Sequence, residues 1–394
     1  MLASVDTIFS VLDSAFANGA EIYFRRFVQR SAAIKWMIGA DFVINEPTAA
    51  HDAFAFTVFP HDADFLSMQA EIERVFPRDI KGTRIINEHM LAYLREPRRF
   101  HFCFLVGKNR HARDSLENIR LTIDRAISTI RGWRTKSGDG SQERRMSYLK
   151  TFQELRQRAN ANNFNYKLLS DIGLLSMIGA AIMLWIVRHG EAKVCGIFPD
   201  RDKMTLGYNS VFNEMTYINF SALREQFGIS ENPQIVMPAA LLLGAAELFY
   251  DPLVRIPDYV AGAISRFDDQ AGVMTSDQRK HLDLVEKFVS DNTNLAITQI
   301  TESMVGLTAS SIIVWSQPDR QNLASQMDRQ ELLEYMVAKS MHFRQPRRRS
   351  YRQGLLDHAD IRERHAYWFA HLMKGVADGA PGPVATFRRQ RVTP

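Results

Sequence analysis

The 394-residue chain holds only two cysteines, Cys103 and Cys195. Both lie inside apolar runs, where a free thiol acts as a small hydrophobe. That scarcity excludes a disulfide framework and a cysteine-based zinc site. There is no Gly-rich phosphate loop, no HExxH helix and no Gly-x-Ser-x-Gly elbow, which argues against a P-loop NTPase, a zincin and a serine hydrolase of the elbow type. Long hydrophobic runs are missing too. The most apolar stretch, Ile172 to Val187, falls short of the roughly 18 to 20 residues that a bilayer span needs, and Gly173, Ser176 and Gly179 dilute it. Met1 to Ala20 carries Asp6 and Asp13 where a signal peptide would be basic, and it has no long apolar core. The expectation is a soluble, cytoplasmic protein with no membrane role.

What is present has globular composition, with 46% hydrophobic and 24% charged residues. The length permits one large domain or two ordinary ones. The formal charge of +5 is unevenly placed: from Met341 onward there are eleven Lys/Arg against four Asp/Glu, so the rest is slightly acidic. In His342 to Arg352 the arginines Arg344, Arg347, Arg348, Arg349 and Arg352 are interleaved with Phe343 and Tyr351. Arginine grips phosphates and aromatics stack on unpaired bases, which makes Arg347, Arg348, Arg349 and Arg352 candidate nucleic-acid contacts. A solvated linker interrupted by Pro346 is the plain alternative. Arg95, Arg98 and Arg99, with Lys108 and Arg110, add positive charge near a predicted strand.

Periodicity predicts a helical opening segment (1–33), then neighbouring strands at Ile34 to Ala40 and Ala53 to Phe59. Helices follow at Asp64 to Val75 and Ile85 to Leu94, with a third strand at Phe100 to Val106. The charged segment near 110–165, with a Ser-Gly-Asp-Gly-Ser loop, reads as a helical insertion. A buried helix at Leu168 to Val187, a strand at Val194 to Phe198, a helix at Ser210 to Phe227, a strand at Gln234 to Met237 and a helix near Ala239 to Phe249 complete a βα alternation. Beyond Ser276, His281 to Phe288, Gln321 to Ser340 and Ile361 to Met373 have helical spacing, and only Ser311 to Trp315 looks strand-like. The expected organisation is an α/β domain over 34–270, a mainly α-helical region over 271–380 and a flexible tail over 381–394.

Three acidic positions close a strand, follow one or open a helix: Asp41, the pair Asp200 and Asp202, and Asp258. A carboxylate at the end of an apolar strand is held on rigid backbone, and several together repel until a hard divalent cation relieves them. Each also has an ordinary explanation as a turn or cap residue. Pro199 restrains the chain before the Asp200-Arg201-Asp202 turn, so both carboxylates leave one very apolar strand.

Met37-Ile38-Gly39-Ala40-Asp41, Ile197-Phe198-Pro199-Asp200-Arg201-Asp202 and Val254-Arg255-Ile256-Pro257-Asp258-Tyr259-Val260-Ala261-Gly262-Ala263 occur in this order along the chain. Together they resemble the bacterial domain-of-unknown-function 3800 family, over roughly Ile34 to Phe267. Such a family implies an RNase H-like mixed sheet flanked by helices. The first segment departs from it, with Phe42-Val43-Ile44 in place of Glu-Ser-Gly after the Asp.

From the resemblance follows two-metal hydrolysis of phosphodiesters with Mg²⁺ or Mn²⁺, ions about 4 Å apart activating a water and steadying the phosphate. Asp41 would bridge the ions, Asp200 or Asp202 and Asp258 would complete their shells, and Glu88 would be a fourth ligand. Asp41, Asp200 and Asp258 are thus the candidate catalytic residues. Lys81, in Lys81-Gly82-Thr83, and Arg201 are candidate contacts to RNA or DNA. His189 and His89 are candidate proton-transfer groups, with a structural role the commoner fate of such histidines. The setting implied is bacterial antiviral defence or a mobile element. Two other readings stand beside it: a degenerate nuclease fold acting as a nucleic-acid-binding or scaffold subunit, and an interaction module that meets a protein partner through its C-terminal helices.

Overall fold

Alternation of side chains sorts one sheet into two faces. Trp36, Ile38 and Ala40 of β1 (Lys35–Val43), Phe54, Phe56 and Val58 of β2 (Asp52–Pro60), and Phe100, Phe102 and Phe104 of β3 (Phe100–Val106) belong to one hydrophobic cluster. Met37, Gly39 and Asp41 of β1 therefore point to the opposite face. Both faces are covered, so these strands read as continuous apolar runs rather than as a half-exposed alternation.

The computed structural model describes residues 5–61, 64–108, 116–133, 141–238, 248–268, 273–276, 278–303 and 306–314. The chain divides into two compact units, Met1–Ile313 with Arg389–Pro394, and Val314–Arg388. All described residues except Val314 lie in the first. The predicted helices at 321–340 and 361–373, the helix near 239–249 up to residue 247, the tail, and Arg347, Arg348, Arg349 and Arg352 lie outside the described residues.

The architecture is mixed α/β. A seven-stranded sheet has the order β5-β4-β1-β2-β3-β8-β9, where β8 is Leu295–Ser303 and β9 is Gly306–Ile312, and a separate two-stranded ribbon pairs β6 (Phe267–Asp268) with β7 (Val273–Met274). β2 runs antiparallel to β1 and to β3, whereas β4 (Val194–Pro199) runs parallel to β1 and β5 (Gln234–Val236) parallel to β4. Ten α-helices accompany the sheet among the described residues. On the cluster face α7 (Tyr166–His189) packs against α8 (Lys203–Gln226) and against α1 (Val5–Ala17) and α2 (Glu21–Ser31), and it carries the hairpin α5 (Leu116–Gly132) and α6 (Ser141–Arg158). On the other face α9 (Asp251–Ile264) lies across β1, β2 and β3, with α3 (Phe65–Val75) and α10 (Arg279–Leu284) beside it; α4 (Glu88–Arg95) packs against the π-helical turn Val285–Val289.

Helix α7 is long and apolar enough to span a bilayer, but sixteen of its 24 residues are buried within the fold, so it serves as the central core helix. Its start is set by Asn165, whose side chain accepts the Leu168 N–H, and it ends at Gly190.

Three differences from the sequence-based expectation have clear causes. The stretch after Ser276 was expected to hold no strand before Ser311, yet β8 (Leu295–Ser303) joins β3 in parallel and β9 (Gly306–Ile312) pairs with β8. The run Leu295 to Ser303 mixes Thr and Gln with Ile, so its period-2 signal is weak, and the exposed backbone edge of β3 supplies what the side chains do not. The sheet therefore continues past the expected division near 270. The second difference is in α8, which begins at Lys203 under an Asp202 cap, breaks at Gly207–Ser210, where Tyr208, Asn209 and Ser210 have positive φ, and resumes. The expected start at Ser210 caught only the second part. Third, α9 begins at Asp251, six residues before Pro257, so Asp258 sits within a helix rather than at its start.

Candidate functional site

Asp41 and Asp200 stand side by side because β1 and β4 are parallel and in register: Ala40 pairs with Pro199, and the Asp200 N–H donates to the Ala40 carbonyl at 2.8 Å. Both strand partners lead their chains out at the same end of the sheet. Asp41 is on the α9 face, and it lies inside β1 rather than just beyond it.

Pro257 explains how α9 comes so close. Proline has no N–H, so the Leu253 carbonyl one turn earlier loses its helical donor. That carbonyl is brought against Gly39: a Cβ on Gly39 would lie 2.9 Å from the Leu253 oxygen. The glycine and the proline thus let α9 settle onto β1, and Asp258, next in the helix, reaches Asp41. The two carboxyls share a hydrogen bond.

The loop between α3 and α4 is tied down over α9 by several bonds. Arg255 donates to the Phe76 carbonyl at 2.9 Å, Tyr259 to the Arg78 carbonyl at 3.1 Å, and Thr83 pairs with the Tyr259 hydroxyl. The Ile80 N–H donates to Asp258 Oδ2 at 2.6 Å, while Lys280, from α10, donates to the carbonyls of Ile80 and Thr83 at 2.7 and 3.0 Å. Gly262 leaves room for Ile80, since a Cβ there would lie 2.7 Å from its Cδ1.

Electrostatically the centre is crowded with negative charge. Burial pushes the Asp41 carboxyl well above the ordinary carboxylate range, and the charges of Asp258 and Asp200 push it further. Asp258 is raised by burial as well, opposed by its bonds from Ile80 and Asp41 and by the charge of Lys81, and reinforced by Asp79. Asp41 is the more deeply buried of the two, so it keeps the proton and donates it to Asp258. Such a pair is a site where a cation could replace a proton.

The expected site residues separate into groups. Asp41 and Asp258 are in contact, and Asp200, exposed, acts on Asp41 electrostatically. Lys81 is brought near Asp258. Asp202 is occupied elsewhere, because its Oδ1 accepts the N–H groups of Met204 at 2.7 Å and Thr205 at 3.1 Å, forming the capping box of α8. Arg201 is engaged with Asp251 at 3.0 Å. Glu88 projects from α4 with 83% side-chain exposure and pairs with Lys287 at 3.2 Å, so it is not placed with the acidic pair. His189 pairs with Glu21 on the cluster face, away from the carboxylates. Among the described residues no three His, Cys, Asp or Glu side chains are gathered closely enough to hold a metal ion as they stand.

Two participants escaped the sequence reading. Asp79 acts on Asp258 and accepts the Gly82 N–H at 2.7 Å, and its only signal is its place two residues before Lys81. Lys280 lies two hundred residues from the loop it holds, a relation no local pattern carries. Comparison of the chain with known protein families, with curated proteins and with solved structures returned no match.

Proposed function

We propose that the chain is a metal-dependent phosphodiesterase that cuts nucleic acid, built on an RNase H-like mixed sheet and acting in the cytoplasm. One observation carries the reading: the carboxyls of Asp41 and Asp258 meet in a buried contact beside Asp200, at the end of the parallel pair β1 and β4. Ionising both carboxyls there would bury like charges and destabilise the fold, a cost that a divalent cation would relieve. The oxygen donors of Asp41, Asp200 and Asp258 suit Mg²⁺ or Mn²⁺ in chemical type. A divalent ion bound there would supply Lewis acidity to a phosphate and lower the pKa of a water.

The chain's own residues hold the parts in place. Asp41 is fixed by the strand and by the Phe42 N–H, which donates to its Oδ1 at 2.7 Å. Asp258 is fixed by Ile80, and Lys81 brings positive charge to the same loop. Asp202 supports Asp200 indirectly, since Thr205, held in the cap, donates to the Asp200 carbonyl at 2.6 Å.

A second reading, a degenerate fold that binds nucleic acid or scaffolds a complex, is favoured by the missing Glu-Ser-Gly after Asp41 and by the spread of the three carboxylates. One assay separates the two. Labelled RNA and DNA are incubated with the full chain in Mg²⁺, Mn²⁺ or EDTA, beside Asp41→Asn, Asp200→Ala and Asp258→Ala. The nuclease reading expects metal-dependent cutting that each substitution lowers by at least about a hundredfold. Cutting that survives all three overturns this acidic site, and none by the wild type in any metal leaves the binding reading.

A further inference from the structure

A row of rings runs from the acidic site along the α9 side of the sheet. Phe198, two residues before Asp200, has its ring centroid 5.2 Å from Tyr250 and 5.6 Å from Phe249. Phe249 is 55% exposed and lies 6.1 Å from Phe65, which stacks on His61 at 5.5 Å with 11° between the planes. Leu66, beside Phe65, is 77% exposed. The row joins the site at one end, where the charge of Asp200 reaches the Tyr250 hydroxyl.

Lys203, three residues after Asp200, is exposed, and so is Lys35, which by strand alternation shares a face with Asp41. Lys35 marks the far end of the row, because the His61 N–H donates to its carbonyl at 2.8 Å. An apolar peptide would cover Phe249 and Leu66 but would make no use of the lysine at the far end. A duplex hides the faces of its bases inside the stack. The exposed ring of Phe249 and the half-buried ring of Phe65, packed edge to face, with exposed Lys35 beyond His61, match unpaired bases on a phosphate backbone.

We propose that this row is a base-stacking track, that the substrate of the acidic site is single-stranded nucleic acid, and that unpaired bases beside the scissile phosphate lie on Phe249 and Phe65. The proposal rests on the nuclease reading for the identity of the site and on the ring geometry for the identity of the ligand.

The test is fluorescence anisotropy in EDTA at low salt, where nothing is cut, using a labelled single-stranded oligonucleotide, as RNA and as DNA, and the matching duplexes. The wild type is expected to hold a single strand at least tenfold more tightly than its duplex. Phe249→Ala and Phe65→Ala should each weaken single-strand binding by about 5- to 100-fold, leaving duplex binding unchanged, and Phe249→Trp should retain it. Leu66→Ala, which removes no ring, should have little effect. Circular dichroism shows that each variant is folded. Equal affinity for strand and duplex, no measurable binding of either, or single-strand binding indifferent to both phenylalanines overturns the track. Metal-dependent cutting without ring-dependent binding rejects the track alone, whereas ring-dependent binding without cutting rejects the nuclease reading and leaves the track standing.

Discussion

Replacing Asp258 by asparagine probes whether the buried carboxyl pair is held together at a cost. Two ionised carboxylates about 4 Å apart in an effective dielectric of about 20 repel by roughly 4 kcal/mol. The pair avoids that by retaining a proton on Asp41, whose carboxyl is held well above the ordinary range by burial and by its acidic neighbours. A folded-state pKa raised above the unfolded value stabilises the fold fully below the unfolded pKa, and that contribution is lost as pH rises through the folded pKa. The wild type should therefore weaken from about pH 4 upward as the pair is forced to ionise. In the Asp258→Asn variant the amide oxygen keeps the acceptor for the Ile80 N–H, and the amide nitrogen offers Asp41 a donor with no second charge. In EDTA at pH 8 the variant should gain about 1 to 3 kcal/mol, part of the repulsion given that the loop relaxes, and its Tm should rise by about 1 to 5 °C. Below about pH 4 the two proteins should melt together. Adding Mn²⁺ should raise the wild-type Tm and leave the variant nearly unmoved. Differential scanning calorimetry from acid to mildly alkaline pH, with and without the ion, measures all of this. An Asp258→Asn protein less stable than the wild type at pH 8, with a parallel pH profile, would refute the crowded-pair argument.

Three further predictions rest on other features. Glu214, between α6 and α8, is pushed up to about 7 by burial, against the bond from Thr151, so the fold loses stability from about pH 4.5 to 7; Glu214→Gln should add about 1 to 3 kcal/mol at pH 8 and nothing at pH 4, as read by urea unfolding. Asp202→Ala should cost about 1 to 2 kcal/mol by uncapping α8, with Mn²⁺ binding by calorimetry unchanged; a tenfold loss of metal affinity would make it a ligand instead. Gly39→Ala should destabilise by about 1 to 3 kcal/mol and weaken metal binding, because the added methyl meets the Leu253 carbonyl and lifts α9 from β1; unchanged Tm and affinity would contradict that packing.

Much of the scaffold was legible because its elements carry strong local signals. β1, β2, β3 and β4 are short apolar runs between turn residues, and α3 starts at Asp64, whose side chain caps it as expected, whereas α7 starts two residues before the expected Leu168, under an Asn165 cap that was not read. β8 was hidden because its polar residues blur the alternation. The Asp200-Arg201-Asp202 turn was legible as an acidic feature, yet the division of labour inside it was not: one carboxylate turns back to cap a helix, while the other, exposed, accepts the Arg201 N–H and acts by its charge on Asp41, a difference that composition does not encode.

The sequence by itself determined the strands β1 to β5, which helix would be central, and that Asp41 and Asp200 would stand on or just past apolar strands. Those are consequences of local spacing, which acts over a few residues. Only the tertiary structure decided that Asp41, Asp200 and Asp258 come within electrostatic reach while Glu88 does not, that Asp79 and Lys280 join them, and that Phe249 and Phe65 line up beside them. Such relations depend on strand order and register, which put Asp200 next to Asp41 across more than 150 residues of chain, and on a glycine and a proline that let one helix approach one strand.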